Sequence, residues 1–173
     1  KAGLHPAMGF VAGIGTGMLF GLLNGVVVAK GRIPSFIVTL GTQAVARGVA
    51  LILAKGMPIG SFPAEFTFLG TRALDRGGYI PWIVIIFLLV ILLMWFVMKK
   101  LPIGRYIYAL GGNEEAARVA GIHVDKVKIF AYIMEGALVG LAATLLASRL
   151  KSAAPALGVG YEGDAIAGAI IGG

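Results

Sequence analysis

The hydrophobic positions of this chain fall into long unbroken stretches. The clearest one runs from Tyr79 to Met98 and contains no charged residue. Trp82 and Trp95 lie near its two ends, and Lys99 follows it directly. A helix needs about 20 mostly apolar residues to cross a bilayer, and interfacial tryptophans with a basic stop are typical flanks. The pattern therefore predicts a transmembrane helix.

Four further stretches have the same character. Three of them are complete and run from about Pro6 to Ala29, from about Ser35 to Ala54 and from about Val127 to Leu150. Another begins near Asp164 and is still apolar at the last residue, so we interpret the chain as an internal piece of a longer protein. We expect an all-α polytopic membrane helix bundle with about five transmembrane helices, forming one transmembrane domain over residues 1–173.

Glycine recurs at a fixed spacing in two of these stretches. The first has glycine at positions 9, 13, 17, 21 and 25, one every four residues. Gly136 and Gly140 repeat the spacing in the stretch that ends at Leu150. Residues four apart lie on one helical face, and small residues there let a second helix approach closely. We predict that both faces are packing surfaces inside the bundle.

Composition supports a membrane protein. Hydrophobic residues make up 58% of the chain and charged residues only 13%, with a mean hydropathy of +0.93. Soluble domains carry about 25% charged residues, and disordered chains combine low hydrophobicity with high charge, so both classes are excluded. The chain has no cysteine, which excludes a disulfide framework and a thiolate metal site.

The net charge of +7 comes from 15 basic and 8 acidic residues. We interpret it as Lys and Arg gathered in cytoplasmic loops and not as nucleic-acid binding, because no aromatic–basic RNA motif occurs. Six of the 15 basic residues lie within 99–128. This density places the loop 99–126 on the cytoplasmic side.

That loop contains a predicted short helix. Asn113 is a favourable N-cap residue, Glu114 and Glu115 suit the first turn, and Gly121 is a natural stop. Two turns of helix are not stable alone in water, so we expect this helix to be held by docking. Its small apolar surface, edged by Arg118, fits a cleft in a partner protein. An ordinary loop helix lying on the membrane is the alternative.

Three stretches resemble the permease subunits of ribose-type sugar ABC importers, a group that also serves other monosaccharides and nucleosides. They are GLLNGVVVAKGRIPSFIVTLGTQAVARGVALIL (21–53), LPIGRYIYALGGNEEAARVAGIHVDKVKIFAY (101–132) and ALGVGYEGDAIAGAIIGG (156–173). They cover nearly half of the chain, in the order of the family. The chain departs from the family pattern at Gly163, Gly168 and Glu135, which leaves the cargo open.

The resemblance implies that the GGNEEAA segment is the coupling helix that seats in the ATPase subunit. The residues that match this motif and its surroundings are Gly104, Arg105, Gly112, Asn113, Glu114, Glu115, Ala116, Ala117, Arg118 and Gly121. The implied partners are an ABC ATPase subunit, a periplasmic or lipid-anchored sugar-binding protein, a second permease copy (identical or a paralogue) and the lipid bilayer, with no nucleic acid. No GxxxxGK[ST] phosphate loop occurs in the sequence, so ATP and Mg²⁺ would be bound by the ATPase. We expect no catalytic residue, metal site or bound cofactor in this chain.

Polar residues within or beside the predicted spans are candidates for a substrate pathway, because such groups are costly in a membrane. They are Asn24, Thr39, Gln43, Arg47, Glu135, Tyr161, Glu162 and Asp164. Structural roles stay open for most of them. Asn24 could bond the backbone of a neighbouring helix, Arg47 could extend to the interface, and Asp164 could cap a helix. Thr39 and Gln43 could equally bond between helices. Glu135 could be protonated and hydrogen-bonded, or paired with Arg47 or a second subunit.

The sequence thus predicts a multi-pass subunit of the bacterial cytoplasmic membrane that imports a ribose-like monosaccharide. It is not expected to be an enzyme, since no HExxH zinc pair and no GxSxG nucleophile motif occurs. A permease for nucleosides or another small polar solute is an alternative. A channel or a structural membrane protein is a further one.

Overall fold

The computed structural model describes residues 6–60, 62–72 and 80–172. Over these residues the chain forms eight helices and two short strands. In chain order they are α1 (Pro6–Gly31), α2 (Ser35–Leu53), β1 (Ile59–Gly60), α3 (Ala64–Thr71), α4 (Trp82–Lys100), α5 (Pro102–Gly112), α6 (Glu114–Val119), α7 (Val124–Leu150), β2 (Ser152–Ala153) and α8 (Tyr161–Gly172). The predicted all-α membrane bundle is confirmed.

Four of the described helices, α1, α2, α4 and α7, are long and apolar enough to cross a membrane. They coincide with the four complete stretches predicted from the sequence. Helix α4 begins at Trp82, and Tyr79, the predicted start, lies outside the described residues. Helix α7 begins at Val124, three residues before the predicted start. The last stretch forms α8, which begins at Tyr161 and has 12 residues in the described part of the chain.

Proline is the first residue of α1 and α5 and directly precedes three further helices. Pro34, Pro63 and Pro81 directly precede α2, α3 and α4, with φ of −52°, −57° and −65°. The pyrrolidine ring fixes φ near these values, and the preceding chain cannot continue a helix into it. These prolines therefore set where each helix begins.

Helices α1 and α7 pack directly along their glycine faces. A Cβ atom added at Gly17 would collide with the carbonyl oxygen of Gly136, and would lie 3.0 Å from the Cα of Gly140. One added at Gly21 would collide with the carbonyl oxygen of Tyr132. The two faces predicted to be packing surfaces therefore meet each other. We call this contact the glycine seam, formed by Gly13, Gly17, Gly21, Gly136 and Gly140.

One end of the bundle is tied together by α3 and the two strands. The Ser148 side chain in the last turns of α7 is fully buried; its Oγ donates to the carbonyl oxygen of Phe66 at 2.8 Å and accepts from the Gly70 amide at 3.0 Å. Strands β1 and β2 pair antiparallel, with Ile59 opposite Ala153. The segments that follow α2 and α7 therefore lie at the same end, as alternating membrane spans require.

The opposite end, which we predict to be cytoplasmic, contains α5 and α6. Sequence analysis predicted only the shorter of these two helices, and α5 is an additional helix within the connection 99–126. Helix α5 follows a sharp corner at Leu101, where Gly104 is buried against the backbone of Met98. Ile103, Ile107 and Leu110 are the less exposed apolar residues of α5. Their spacing of four and three residues is that of an amphipathic helix.

Candidate functional site

Helix α6 has the ends that the sequence predicted. The Asn113 side-chain oxygen Oδ1 accepts from the amide of Ala116 at 2.9 Å, which caps the first turn. Gly121, with φ of +83°, lies in the left-handed region just after the helix, where a residue without Cβ is favoured. Within the helix Ala117 is buried, whereas Val119 is 90% exposed. The six residues of α6 thus have one side against the bundle and one side open.

Ion pairs attach α6 to the start of α7. The Lys128 Nζ donates to both carboxylate oxygens of Glu114, at 2.8 and 2.7 Å. Arg118 lies 3.5 Å from Glu114 and 3.5 Å from Asp125. The hydrogen bond from Lys128 lowers the pKa of Glu114 below its ordinary value, and the positive charges of Lys128 and Arg118 act in the same direction. Glu114 is therefore a charged attachment point between the two helices.

The predicted coupling residues divide by position. Glu115 and Ala116 are exposed on the outer side of α6, together with Val119, which the predicted set did not include. Gly112 and Arg105 belong to α5 and are also exposed. Gly104 lies instead in the corner between α4 and α5, where its close approach to the backbone explains a glycine by packing alone. The structure thus brings only part of the set onto one outer surface.

A cavity of about 560 Å³ lies between α1, α2 and α7. Four of the eight predicted pathway residues line it: Asn24, Thr39, Gln43 and Glu135. Thr16, Thr42 and Tyr132 also line it and were not singled out from the sequence. Thr42 lies three residues after Thr39 on α2, and residues at this spacing share a helical face. This spacing could have added Thr42 to the candidates.

Most polar groups of this cavity already have a partner within the protein. The Thr42 Oγ1 donates to the Asn24 Oδ1 at 2.6 Å. Asn24 therefore bonds a side chain of α2, whereas the sequence analysis considered a bond to the backbone of a neighbouring helix. The Thr39 hydroxyl donates to the carbonyl oxygen of Ser35, 3.0 Å away in its own helix. Such bonds satisfy these groups in an apolar setting. They still leave lone pairs that can accept from a ligand.

The other four predicted pathway residues, Arg47, Tyr161, Glu162 and Asp164, lie in or near α8, and Gln43 connects the cavity to this group. The Gln43 side-chain amide donates to the Glu162 Oε1 at 3.3 Å, which connects α2 to the first turn of α8. The other Glu162 oxygen accepts from the Gly160 amide at 3.0 Å. Arg47, Tyr161 and Asp164 lie outside the cavity as the described residues define it. The predicted residues therefore do not form a single cluster. Half of them line the cavity, and the other half lie in or near α8, joined to the cavity by the hydrogen bond from Gln43.

Glu135 is the acidic residue of the cavity lining. With α7 beginning at Val124, a rise of 1.5 Å per residue places Glu135 about 16 Å along the helix, near the centre of a 30 Å hydrocarbon core. Within the described parts of the chain its carboxylate makes no ion pair, so the pairing with Arg47 considered from the sequence is not formed there. A carboxyl group at this depth marks the cavity as a candidate site.

Apolar helices around a polar cavity, with a short capped helix exposed at one end, define a polytopic α-helical membrane protein. The chain belongs to the family described as branched-chain amino acid transport system / permease component, whose model matches residues 1–173. Relatives named as permease proteins of sugar transport systems are similar to it.

The ribose import permease protein RbsC of Haemophilus influenzae is 43% identical over 164 residues, which are 91% of this chain and 49% of that protein. RbsC of Bacillus subtilis is 38% identical over 99% of this chain and 53% of its own length. The D-allose transport system permease protein AlsC of Escherichia coli is 38% identical over 99% of this chain and 52% of its own length. The chain thus spans about half the length of these relatives. No solved structure matches it.

Proposed function

We propose that the protein is the transmembrane subunit of an ABC importer that moves a ribose-like monosaccharide across the bacterial cytoplasmic membrane. Family membership and relatives named as ribose and D-allose permeases support this cargo class. The subunit itself performs no chemistry. ATP and Mg²⁺ are bound by a separate ATPase subunit, a sugar-binding protein delivers the cargo at the outer face, and a second permease copy completes the pathway.

The observation that carries the proposal is the position of α6. A helix of six residues is not stable alone in water. Here its inner side is held against the bundle by the buried Ala117 and by the ion pair between Glu114 and Lys128. Its outer side presents Glu115, Ala116 and the highly exposed Val119. A small apolar centre edged by charge is the composition of a protein interface core and rim. This side is the docking surface for the ATPase.

The membrane cavity fits a monosaccharide in size and chemistry. Its volume of about 560 Å³ lies within the range of about 300–1,000 Å³ that is usual for ligand pockets. Amide, hydroxyl and carboxyl groups reach it from three helices, through Asn24 of α1, Thr42 of α2 and Glu135 of α7. Sugar hydroxyls both donate and accept hydrogen bonds, so they match this mixture of groups.

The test is uptake by the full-length permease, reconstituted with its ATPase and sugar-binding protein in proteoliposomes. We expect ATP-dependent accumulation of D-ribose, with D-allose, D-fructose and a nucleoside as competing cargoes. Preference for the nucleoside would show that the proposed cargo class is wrong. Solute flux or ionic conductance that needs no ATP would instead indicate a channel and contradict the proposal.

A second experiment tests the docking surface. Val119→Lys places a charge at the centre of the outer side of α6, and we expect about tenfold weaker co-purification of the ATPase, as for an interface hot spot. Val159→Lys is the matched control, because Val159 is also exposed and follows β2 near the opposite end. Equal recovery of the ATPase with both variants would show that α6 is not the docking surface.

A further inference from the structure

One face of α7 connects the α6 attachment to the membrane cavity. Lys128, Tyr132 and Glu135 are spaced by four and three residues, so they lie on the same side of the helix. Lys128 and Tyr132 line a second cavity of about 570 Å³ beside α6, and Tyr132 also lines the membrane cavity with Glu135. At 1.5 Å per residue, Lys128 and Glu135 are only about 10 Å apart along the axis.

Lys128 makes the shortest polar contacts between α7 and α6. Its ammonium group bonds both oxygens of Glu114, and its side chain is only 23% exposed. The other connection, from Arg118 to Asp125, is longer at 3.5 Å and has half-exposed partners. Short charge-assisted hydrogen bonds hold geometry better than long exposed pairs. Toward α5, by contrast, α6 is joined through a single extended residue, Asn113, with φ of −158°.

We propose that Lys128 is a positioning residue that makes α6 and α7 move together, so that a displacement of α6 by the ATPase shifts the α7 wall of the membrane cavity. The inference rests on the proposed function, because it assigns a route for the motion that an ATPase would impose. Lys128 does not line the membrane cavity, and its bonds to α6 are to Glu114 and not to the outer side of that helix. Its loss should therefore uncouple transport from ATP hydrolysis without removing the ATPase.

The experiment uses the full-length permease with its ATPase and sugar-binding protein in proteoliposomes, with D-ribose as the probe. For Lys128→Met, which keeps an apolar stem but removes the charge, we expect D-ribose uptake per ATP hydrolysed to fall about fivefold, the factor that one partly exposed charge pair can supply. Co-purification of the ATPase should stay within about twofold of the parent. Lys128→Arg should retain coupling, since it keeps the charge.

Two further variants separate positioning from folding. The charge exchange E114K/K128E should recover most of the coupling that each single change removes, although Lys at the first position of α6 opposes the helix dipole. Lys126→Met is the matched control: it removes the same charge from the same helix, and Lys126 makes no ion pair within the described residues. Amide hydrogen exchange of 115–119 should be faster in Lys128→Met and unchanged in Lys126→Met.

The failing results are distinct. Normal uptake per ATP in Lys128→Met, or parallel loss of uptake and ATPase binding without rescue by the charge exchange, would overturn the positioning role alone. A parent protein whose D-ribose uptake is independent of ATP would refute the proposed function, and the positioning role would fall with it.

Discussion

The glycine seam should tolerate no added methyl group at Gly17. The Cβ of Ala at this position would collide with the Gly136 carbonyl oxygen and lie 3.0 Å from the Gly140 amide nitrogen. These obstacles are backbone atoms, which cannot rotate aside, so α1 and α7 must separate. Overpacking of this kind costs about 1–3 kcal/mol. Gly15 lies on the same helix with nothing within 4 Å of an added Cβ, so Gly15→Ala should be neutral or gain up to about 1 kcal/mol in helix propensity.

The two variants should therefore differ by about 1–4 kcal/mol in the free energy of unfolding. The assay is thermal denaturation of the full-length permease in detergent, followed by the fraction that remains monodisperse. We expect the Gly17→Ala midpoint several degrees below that of Gly15→Ala. Equal midpoints would refute the reasoning, because they would mean that the seam relaxes at no cost or that α1 and α7 do not meet along these glycines.

Three further predictions concern individual hydrogen bonds and ion pairs. Asn113→Ala removes the cap of α6 and should cost about 1 kcal/mol, seen as faster amide exchange in α6, whereas Asn113→Ser should preserve protection. Ser148→Ala leaves the Gly70 amide without its acceptor and should cost about 1–3 kcal/mol, read as a lower denaturation midpoint; an unchanged midpoint would mean that water replaces the hydroxyl. Because the folded pKa of Glu114 is lowered, its contribution to stability is fully present above its ordinary pKa of 4.5 and is lost as the pH falls through the lower folded pKa. A spin label on α6 should therefore gain mobility only in that acidic range, and Glu114→Gln should remove this pH dependence.

Features set by local sequence were predicted well. The spans follow from the length of apolar stretches, and the cap of α6 follows from the preference of Asn113 for a position where its side chain accepts a backbone amide. The glycine spacing identified both faces of the seam, because a four-residue period fixes a helical face without knowledge of the partner. These signals need no information about the rest of the fold.

Features set by tertiary contact were not predicted. The sequence placed Asn24 and Gln43 among the pathway candidates, but only the packing of α1 on α2 shows that Asn24 is bonded to Thr42. Lys128 was counted among the loop charges, and its partner is 14 residues away. Helix α5 was missed because its apolar period is short and is interrupted by tyrosines that also suit a membrane interface.

The glycine seam has a consequence for how the helices find their alignment. Because α1 repeats glycine every four residues, a shift of α7 by one repeat, about 6 Å, would again place Gly136 and Gly140 against glycines. The seam is therefore degenerate in register: it favours contact but does not choose among neighbouring alignments. The choice must come from non-repeating contacts, and α3 supplies them at one end of the two helices. Ser148 of α7 donates to the carbonyl oxygen of Phe66, and the Phe66 ring packs against Phe10 of α1 at a centroid distance of 5.1 Å, so α3 fixes an alignment that the glycines leave open.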